Sequence, residues 1–158
     1  MDSNMYHRIP EEEMIEYAKK YLKERGYKKK NKRWTKVDGD FTICFYLQGS
    51  SYAKENYYIR PGISLNTVNT DDHYGHFYTE IKQTTIENVF QEFDEFVNTW
   101  TNKERIKKIV EEFLEWDKRN PLEKRRAGEV DYEKDPVPSL VCFGIPQVVI
   151  KYILDNFE

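Results

Sequence analysis

Residues 38–48 read DGDFTICFYLQ and decide the fold. Apolar side chains occupy every second position after the turn signal Asp38-Gly39: Phe41, Ile43, Phe45 and Leu47. The positions between them are polar or mixed: Thr42, Cys44, Tyr46 and Gln48. A period of two places successive side chains on opposite faces of a strand. The pattern therefore predicts a strand with one apolar face, and Asp-Gly predicts a tight hairpin before it.

The same period of two extends to both sides of this stretch. Residues 33–37 predict a short strand, and residues 57–66 predict a long one in which Pro61-Gly62 forms a bulge or an edge feature. The segment GSSYAKEN, residues 49–56, predicts a longer hairpin loop, and residues 76–82 predict a last strand. The sum is an antiparallel meander of about four strands.

Helix signals flank the meander. Pro10 and the three glutamates after it predict a helix over about 10–25 that ends at Gly26. Capping boxes at Thr84 and Thr101 begin two aromatic-striped helices, and Pro146 begins a last one. Residues 121–137 predict an exposed, charged excursion of low order. The fold class is therefore α+β, with an N-terminal helix and two to three helices packed on one sheet face, in a single domain over residues 1–158.

Composition excludes several classes of protein. The chain has 158 residues, 15% of them aromatic, and a formal net charge of −3. No apolar run approaches the length that spans a bilayer, and the first residues lack a basic leader and an apolar signal core. The sequence therefore predicts a cytoplasmic protein with no membrane partner. Its acidic balance argues against nucleic acid as a partner, and nothing in it predicts an oligomeric state.

No motif predicts catalysis or a cofactor. Cys44 and Cys142 lie far apart in apolar settings and predict buried thiols. The cluster TDDHYGH holds Asp71, Asp72, His73 and His76, which are metal-ligating residue types, but the spacing matches no metal motif and we expect a solvated turn. We expect no metal, no cofactor and no catalytic residue. An enzyme or small-ligand protein whose site forms only in three dimensions stays an alternative.

A basic segment covers residues 19–36. Its part KERGYKKKNKRWTK, residues 23–36, interleaves Tyr27 and Trp34 with cations, a combination that holds phosphates and stacks bases in single-strand binding proteins. Three interpretations stay open: a solvated connection between helix and strand, a patch for an acidic protein, and a nucleic-acid-binding module.

The face of the meander turned away from the core is the main candidate for function. The alternation predicts that it carries Trp34, Tyr46, Tyr58, Arg60 and Tyr78, with Lys36, Gln48, Glu80 and Lys82 among them. Tyr, Trp and Arg anchor protein interfaces because each offers a large surface and a polar tip. We therefore expect a surface that binds another protein. The alternatives are tyrosines that merely cover a wet sheet face and a last helix that folds over it.

A family resemblance emerges from residues 21–65, YLKERGYKKKNKRWTKVDGDFTICFYLQGSSYAKENYYIRPGISL. This run resembles the opening of a bacterial family known as domain of unknown function 4304, over about residues 15–120. The positions that carry the resemblance are Gly26, Tyr27, Lys28, Trp34, Phe41 and Ile63. The family implies no activity and no catalytic residues. The similarity in type to small acidic bacterial proteins encoded beside secreted toxins suggests an immunity protein that blocks a toxin domain.

Overall fold

Five antiparallel strands form one sheet, each paired with the next along the chain. The structure is a computed structural model that describes residues 9–49, 56–70 and 74–157. The strands are β1 (Lys28–Lys30), β2 (Arg33–Asp38), β3 (Phe41–Gly49), β4 (Tyr57–Leu65) and β5 (Phe77–Tyr78). Their order in the sheet is β1-β2-β3-β4-β5. The predicted meander is confirmed, and the all-lysine strand β1 adds a fifth member at its edge.

The helices precede and follow the sheet. They are α1 (Glu11–Glu24), α2 (Ile86–Trp100), α3 (Lys103–Arg119), α4 (Leu122–Arg126), a 3₁₀ helix (Leu140–Gly144) and α5 (Gln147–Asn156). This arrangement confirms the α+β class. Helix α1 ends where Gly26 takes a φ of 90°, a conformation that favours glycine. In the part of the chain that the structure describes, no helix is long and apolar enough to cross a membrane.

The two predicted capping boxes are each displaced by one residue. The Thr85 hydroxyl accepts the Asn88 N–H at 3.2 Å, and the Asn102 side chain accepts the Arg105 N–H at 3.0 Å. Thr84 and Thr101 are therefore not the N-cap residues of α2 and α3, and Thr101 is instead the C-cap residue of α2. Glu87 and Glu104 lie one position too early for the reciprocal bond of a capping box, but they still complement the positive ends of the helix dipoles.

The core lies between the sheet and the helices, as the alternation predicts. Phe41, Ile43, Phe45 and Leu47 are all buried. The Phe45 ring stacks on Phe90 and meets Phe93 edge-on, both with centroids 5.1 Å apart. Each such buried ring or aliphatic side chain contributes roughly 1.5 to 3 kcal/mol to folding. Aromatic rings of α2 thus cover the apolar face of β3.

Pro61-Gly62 forms neither a bulge nor an edge. Strand β4 keeps its register with β3 through Phe45↔Pro61 and Cys44↔Gly62 and lies inside the sheet. The Pro61 carbonyl accepts the Thr79 N–H at 3.2 Å. Because the nitrogen and carbonyl of a strand residue point to the same side, the missing hydrogen of Pro61 also faces β5. Proline is tolerated here because it costs no bond to β3.

The charged excursion over 121–137 is anchored to α3. Its side chains are largely exposed, as expected, but it contains α4, which the sequence analysis missed. The Trp116 indole N–H donates to the Asp135 carbonyl at 2.8 Å, and Arg119 pairs with the Asp135 carboxylate. Hydrogen bonds from Arg119 and then Asn120 lower the pKa of Asp135 to about 2. The prediction of low order is therefore wrong for this anchored part.

Helix α5 packs against α3 rather than across the strands. The Thr67 hydroxyl, just past the end of β4, donates to the Tyr152 hydroxyl at 2.9 Å. The alternative in which the last helix covers the non-core face of the sheet is therefore wrong.

Candidate binding face of the sheet

Strand register decides which side chains share the face turned away from the helices. The pairs Arg33↔Tyr46, Tyr46↔Arg60 and Gly62↔Tyr78 place these residues on one side. We call this side the open face. Its strand residues are Lys28, Lys30, Arg33, Thr35, Val37, Thr42, Cys44, Tyr46, Gln48, Tyr58, Arg60, Gly62, Ser64 and Tyr78. All but Gly62 are half-buried or exposed, whereas the facing core positions of β3 and β4 are buried.

Four of the five predicted binding residues lie on the open face. Tyr46, Tyr58 and Arg60 are half-buried there, and Tyr78 is exposed. Trp34 is the exception. Its side chain is 1% exposed and meets the Phe45 ring at 6.0 Å on the core side. The prediction that Trp34 belongs to the binding surface is therefore wrong.

The error on Trp34 arises from the hairpin between β2 and β3. Asp38 pairs with Phe41, so the turn contains two residues, and Gly39 takes a φ of 57°. A two-residue turn pairs even-numbered positions of one strand with odd-numbered positions of the next. Trp34 therefore shares the side of Phe45, and Lys36 shares the side of Ile43. Lys36 is excluded from the open face for the same reason.

That register brings three unpredicted cations to the open face. In β2, Arg33 rather than Trp34 lies on the open face. Lys28 and Lys30 of β1 lie on the same side, because Lys28 pairs with Thr35 and Lys30 pairs with Arg33. No strand residue of the open face is a carboxylate. The sequence analysis missed these residues, although the two-residue length of the turn after Asp38 is enough to place Arg33 on this face. The half of the face formed by β1 and β2 is thus positively charged.

Arg33 has no acidic partner among the described residues. Its guanidinium carbon lies 4.2 Å from the centroid of the Tyr46 ring, and no hydrogen bond or ion pair joins the group to another described residue. Stacking on a ring leaves the N–H donors at the guanidinium edge directed outward in its plane. Half-buried and unneutralised, Arg33 can accept an anion without losing an existing bond.

Arg60, on β4 and two strands away from Arg33, already has several polar partners. It donates to the Gln48 side chain at 2.7 Å and to the Tyr74 hydroxyl at 3.1 Å. It also pairs with Glu80 at 3.5 Å. Its guanidinium lies over the Tyr58 ring, 4.7 Å from the centroid. Arg60 is therefore a clamp that holds the open face together.

A short segment crosses the open face beside this clamp. A side chain at Gly62 would run into the Tyr74 carbonyl oxygen, and one at Gly75, where φ is 103°, would crowd Ser64. The two glycines thus let residues 74–76 lie directly on β4. His76 fixes the segment because its buried Nδ1 accepts the Leu65 N–H at 2.9 Å, while its Nε2 lies 2.9 Å from the Thr70 hydroxyl. We call this segment the wall of the open face.

Two depressions lie on either side of this wall. The first holds about 170 Å³ and is lined by Arg33, Thr35, Cys44, Ser64 and Gly75, among others. The second holds about 310 Å³ between Tyr74 and Tyr78 on one side and Leu140 and Val141 of the 3₁₀ segment on the other. Leu140 is 76% exposed. The open face is therefore polar and basic at the β2 end, with a groove near β5 that combines apolar Leu140 and Val141 with the Arg60–Glu80 pair.

The cysteines differ in position. Cys142 is buried as predicted, whereas Cys44 is half-buried and lines the first depression. Burial raises the pKa of the Cys44 thiol to about 11, and the nearby Arg33 charge opposes that shift. Burial raises the pKa of Cys142 to about 12. Both thiols are protonated near neutral pH and are weak nucleophiles and metal ligands.

The cluster considered for metal binding is only partly described. Asp71, Asp72 and His73 lie outside the described residues, as do positions 50–55 of the predicted long hairpin loop. His76 is buried and uses both ring nitrogens in hydrogen bonds. Within residues 9–49, 56–70 and 74–157, no group of three or more His, Cys, Asp or Glu side chains is arranged to hold a metal ion.

The basic segment over 19–36 is divided among several surfaces. Lys28, Lys30 and Arg33 face the open side, whereas Lys29 lies over the Trp34 ring and Lys36 over the Tyr27 ring. The rings of Tyr27 and Trp34 are themselves buried. The two aromatic side chains that the nucleic-acid alternative requires are therefore not available to stack bases.

Comparisons with known proteins add one match. A family model described as Domain of unknown function (DUF4304) matches residues 18–127, a span that contains the whole sheet and α2 to α4. No curated protein and no solved structure matches the chain.

Proposed function

The chain belongs to the family described as Domain of unknown function (DUF4304), and we propose that it is a non-catalytic module that binds an acidic protein through the open face. The observation that carries the proposal is the charge of that face. Lys28, Lys30 and Arg33 lie together there with no strand carboxylate among them. A partner surface of opposite charge would be steered to this face and held in register.

Two of the three tyrosines on the strands of the open face support protein rather than nucleic acid as the partner. Guanidinium groups cover the Tyr46 and Tyr58 rings at 4.2 and 4.7 Å. Single-strand binding proteins need exposed ring faces on which successive bases stack. Protein interfaces instead use tyrosine and arginine together as rigid anchors with polar tips.

The groove near β5 supplies the apolar part that a protein interface needs. Exposed Leu140 faces Tyr78 across a depression of about 310 Å³. Interfaces commonly surround an apolar anchor with charged and polar contacts. The proposed partner therefore combines an acidic patch with one protruding apolar side chain.

In its most specific form, the proposal is an immunity protein. The partner would then be a bacterial toxin domain, which the module inactivates by covering its working surface without any chemical step. The sheet suits this role because α2 packs against β3 and β4 on its other side. A purified toxin partner would lose activity in proportion to the module added and be fully inhibited at one equivalent.

Affinity capture from the source organism tests the proposal. The bait is wild type, the open-face variant Lys28→Ser/Lys30→Ser/Arg33→Gln, or the control variant Lys20→Gln/Lys23→Gln/Lys108→Gln. The control removes the same charge from exposed lysines that lie off the open face. We expect one protein to be captured by wild type and control and lost from the open-face variant. Equal capture by all three baits, or no capture by wild type, would contradict the proposal.

A further inference from the structure

The first depression has the features of a receptor for a single carboxylate. Tyr74 and Gly75 of the wall line it, together with Cys44 and Gly62 of the sheet. Arg33 also lines it, with its guanidinium over the Tyr46 ring. The volume of about 170 Å³ accommodates one side chain and is smaller than the roughly 300 Å³ at which small-molecule pockets begin.

Charge and hydrogen-bonding groups define what this depression can accept. Arg33 offers several N–H donors that no described residue uses, and the Thr35 and Ser64 hydroxyls line the same space without a hydrogen bond to another described residue. A planar guanidinium pairs with a carboxylate through two parallel bonds. Lys28 and Lys30 add positive charge from the adjoining strand.

We propose that Arg33 and this depression bind an aspartate or glutamate side chain of the protein partner, so that one carboxylate becomes the anchor of the interface. This inference rests on the proposed function and identifies the chemistry that its partner must supply. Arg60 does not compete for the carboxylate because Gln48, Tyr74 and Glu80 already occupy it. The receptor and the clamp are thus two arginines with separate tasks.

Binding of a fluorescein-labelled glutamate homopolymer, followed by anisotropy at low salt, tests the receptor. We expect wild type and Lys20→Gln to bind within a factor of about two of each other, since Lys20 lies off the open face. Arg33→Gln should weaken binding about tenfold or more because the two-bond contact is lost. Arg33→Lys should recover only part of that loss, since an ammonium group lacks the planar fork. Circular dichroism checks that each variant is folded.

A second readout locates the contact. The side-chain Nε–H resonance of Arg33, assigned by its absence in Arg33→Gln, should shift as the glutamate homopolymer is added. A resonance that does not move, or equal affinity of Arg33→Gln and wild type, overturns the receptor. A thymidine homopolymer of equal length serves as the phosphate probe. If it binds more tightly than the glutamate homopolymer, the depression prefers phosphate and the proposed carboxylate ligand is wrong.

The outcomes separate this inference from the proposed function. If Lys28→Ser/Lys30→Ser abolishes capture of the partner while Arg33→Gln changes nothing, the open face binds protein but Arg33 is not its carboxylate receptor. If binding of the glutamate homopolymer depends on Arg33 while wild type captures no protein from the organism, the carboxylate receptor is supported and the proposed function is wrong.

Discussion

The guanidinium carbon of Arg33 lies 4.2 Å from the centroid of the Tyr46 ring, across the register pair that joins β2 to β3. This contact orients a cation that has no acidic partner among the described residues. On β4, two strands from Arg33, Arg60 lies over Tyr58 in a similar way but also donates to Gln48 and Tyr74 and pairs with Glu80. Arg33 is therefore available to a binding partner, whereas Arg60 stabilises the open face itself.

Arg33→Gln and Arg60→Gln should therefore differ in their effect on stability. We expect Arg60→Gln to lower the free energy of unfolding by about 1 to 3 kcal/mol because the half-buried Glu80 loses its cationic partner and Gln48 keeps only the Tyr74 hydroxyl as a donor. Arg33→Gln should cost less than about 1 kcal/mol because it removes only a contact with a ring. Urea denaturation measures both. Equal losses would show that Arg33 is also structural.

Gly62→Ala tests the close approach of the segment over 74–76. A methyl group at this position collides with the Tyr74 carbonyl oxygen, which belongs to the backbone and cannot rotate away. We expect a loss of about 2 to 4 kcal/mol in the free energy of unfolding. Gly49→Ala is the matched control, since an added methyl group there meets open space. Similar stabilities of the two variants would mean that the segment does not lie on β4.

The alternation in residues 41–65 was sufficient to predict both faces of β3 and β4, because one-sided burial constrains every second side chain. The position of Trp34 additionally required the length of the turn at Gly39, which reverses the parity between strands. Strand β1 could not be read from composition because lysine has low strand propensity, and its pairing with β2 alone defines it. The wall over 74–76 depends on the approach of Tyr74 to Gly62 and of Gly75 to Ser64, contacts between segments distant in sequence that no local pattern encodes.

His76→Leu tests what holds that wall in position. The substitution removes the acceptor of the buried Leu65 N–H and should lower the free energy of unfolding by about 1 to 3 kcal/mol. His76→Asn offers an oxygen in nearly the same place and should recover part of the loss. Thermal and urea denaturation compare the two variants. A leucine variant as stable as wild type would contradict the assigned hydrogen bond.

The Asp135 ion pair, which anchors the charged excursion, should make the stability of the protein depend on pH in the acidic range. Its pKa falls from 3.8 to about 2 in the folded protein, chiefly because Arg119 donates to the carboxylate. A lowered folded pKa contributes stability above pH 4 that disappears as the pH falls through the range from 4 to 2. We expect wild type to exceed Asp135→Asn in stability near neutral pH and the difference to shrink over that range. Urea denaturation as a function of pH measures it, and a constant difference would contradict the ion pair.

The docking of a partner on the open face is tested most directly by acetylation of lysines in the complex with the captured protein. Lys28 and Lys30 lie on the face, and exposed Lys20, Lys23 and Lys108 lie off it as internal controls. Mass spectrometry then gives the acetylation rate of each lysine in the free protein and in the complex. The account predicts that Lys28 and Lys30 react several-fold more slowly in the complex while the control lysines keep their rates. Unchanged rates at Lys28 and Lys30, with protection of the control lysines instead, would contradict it.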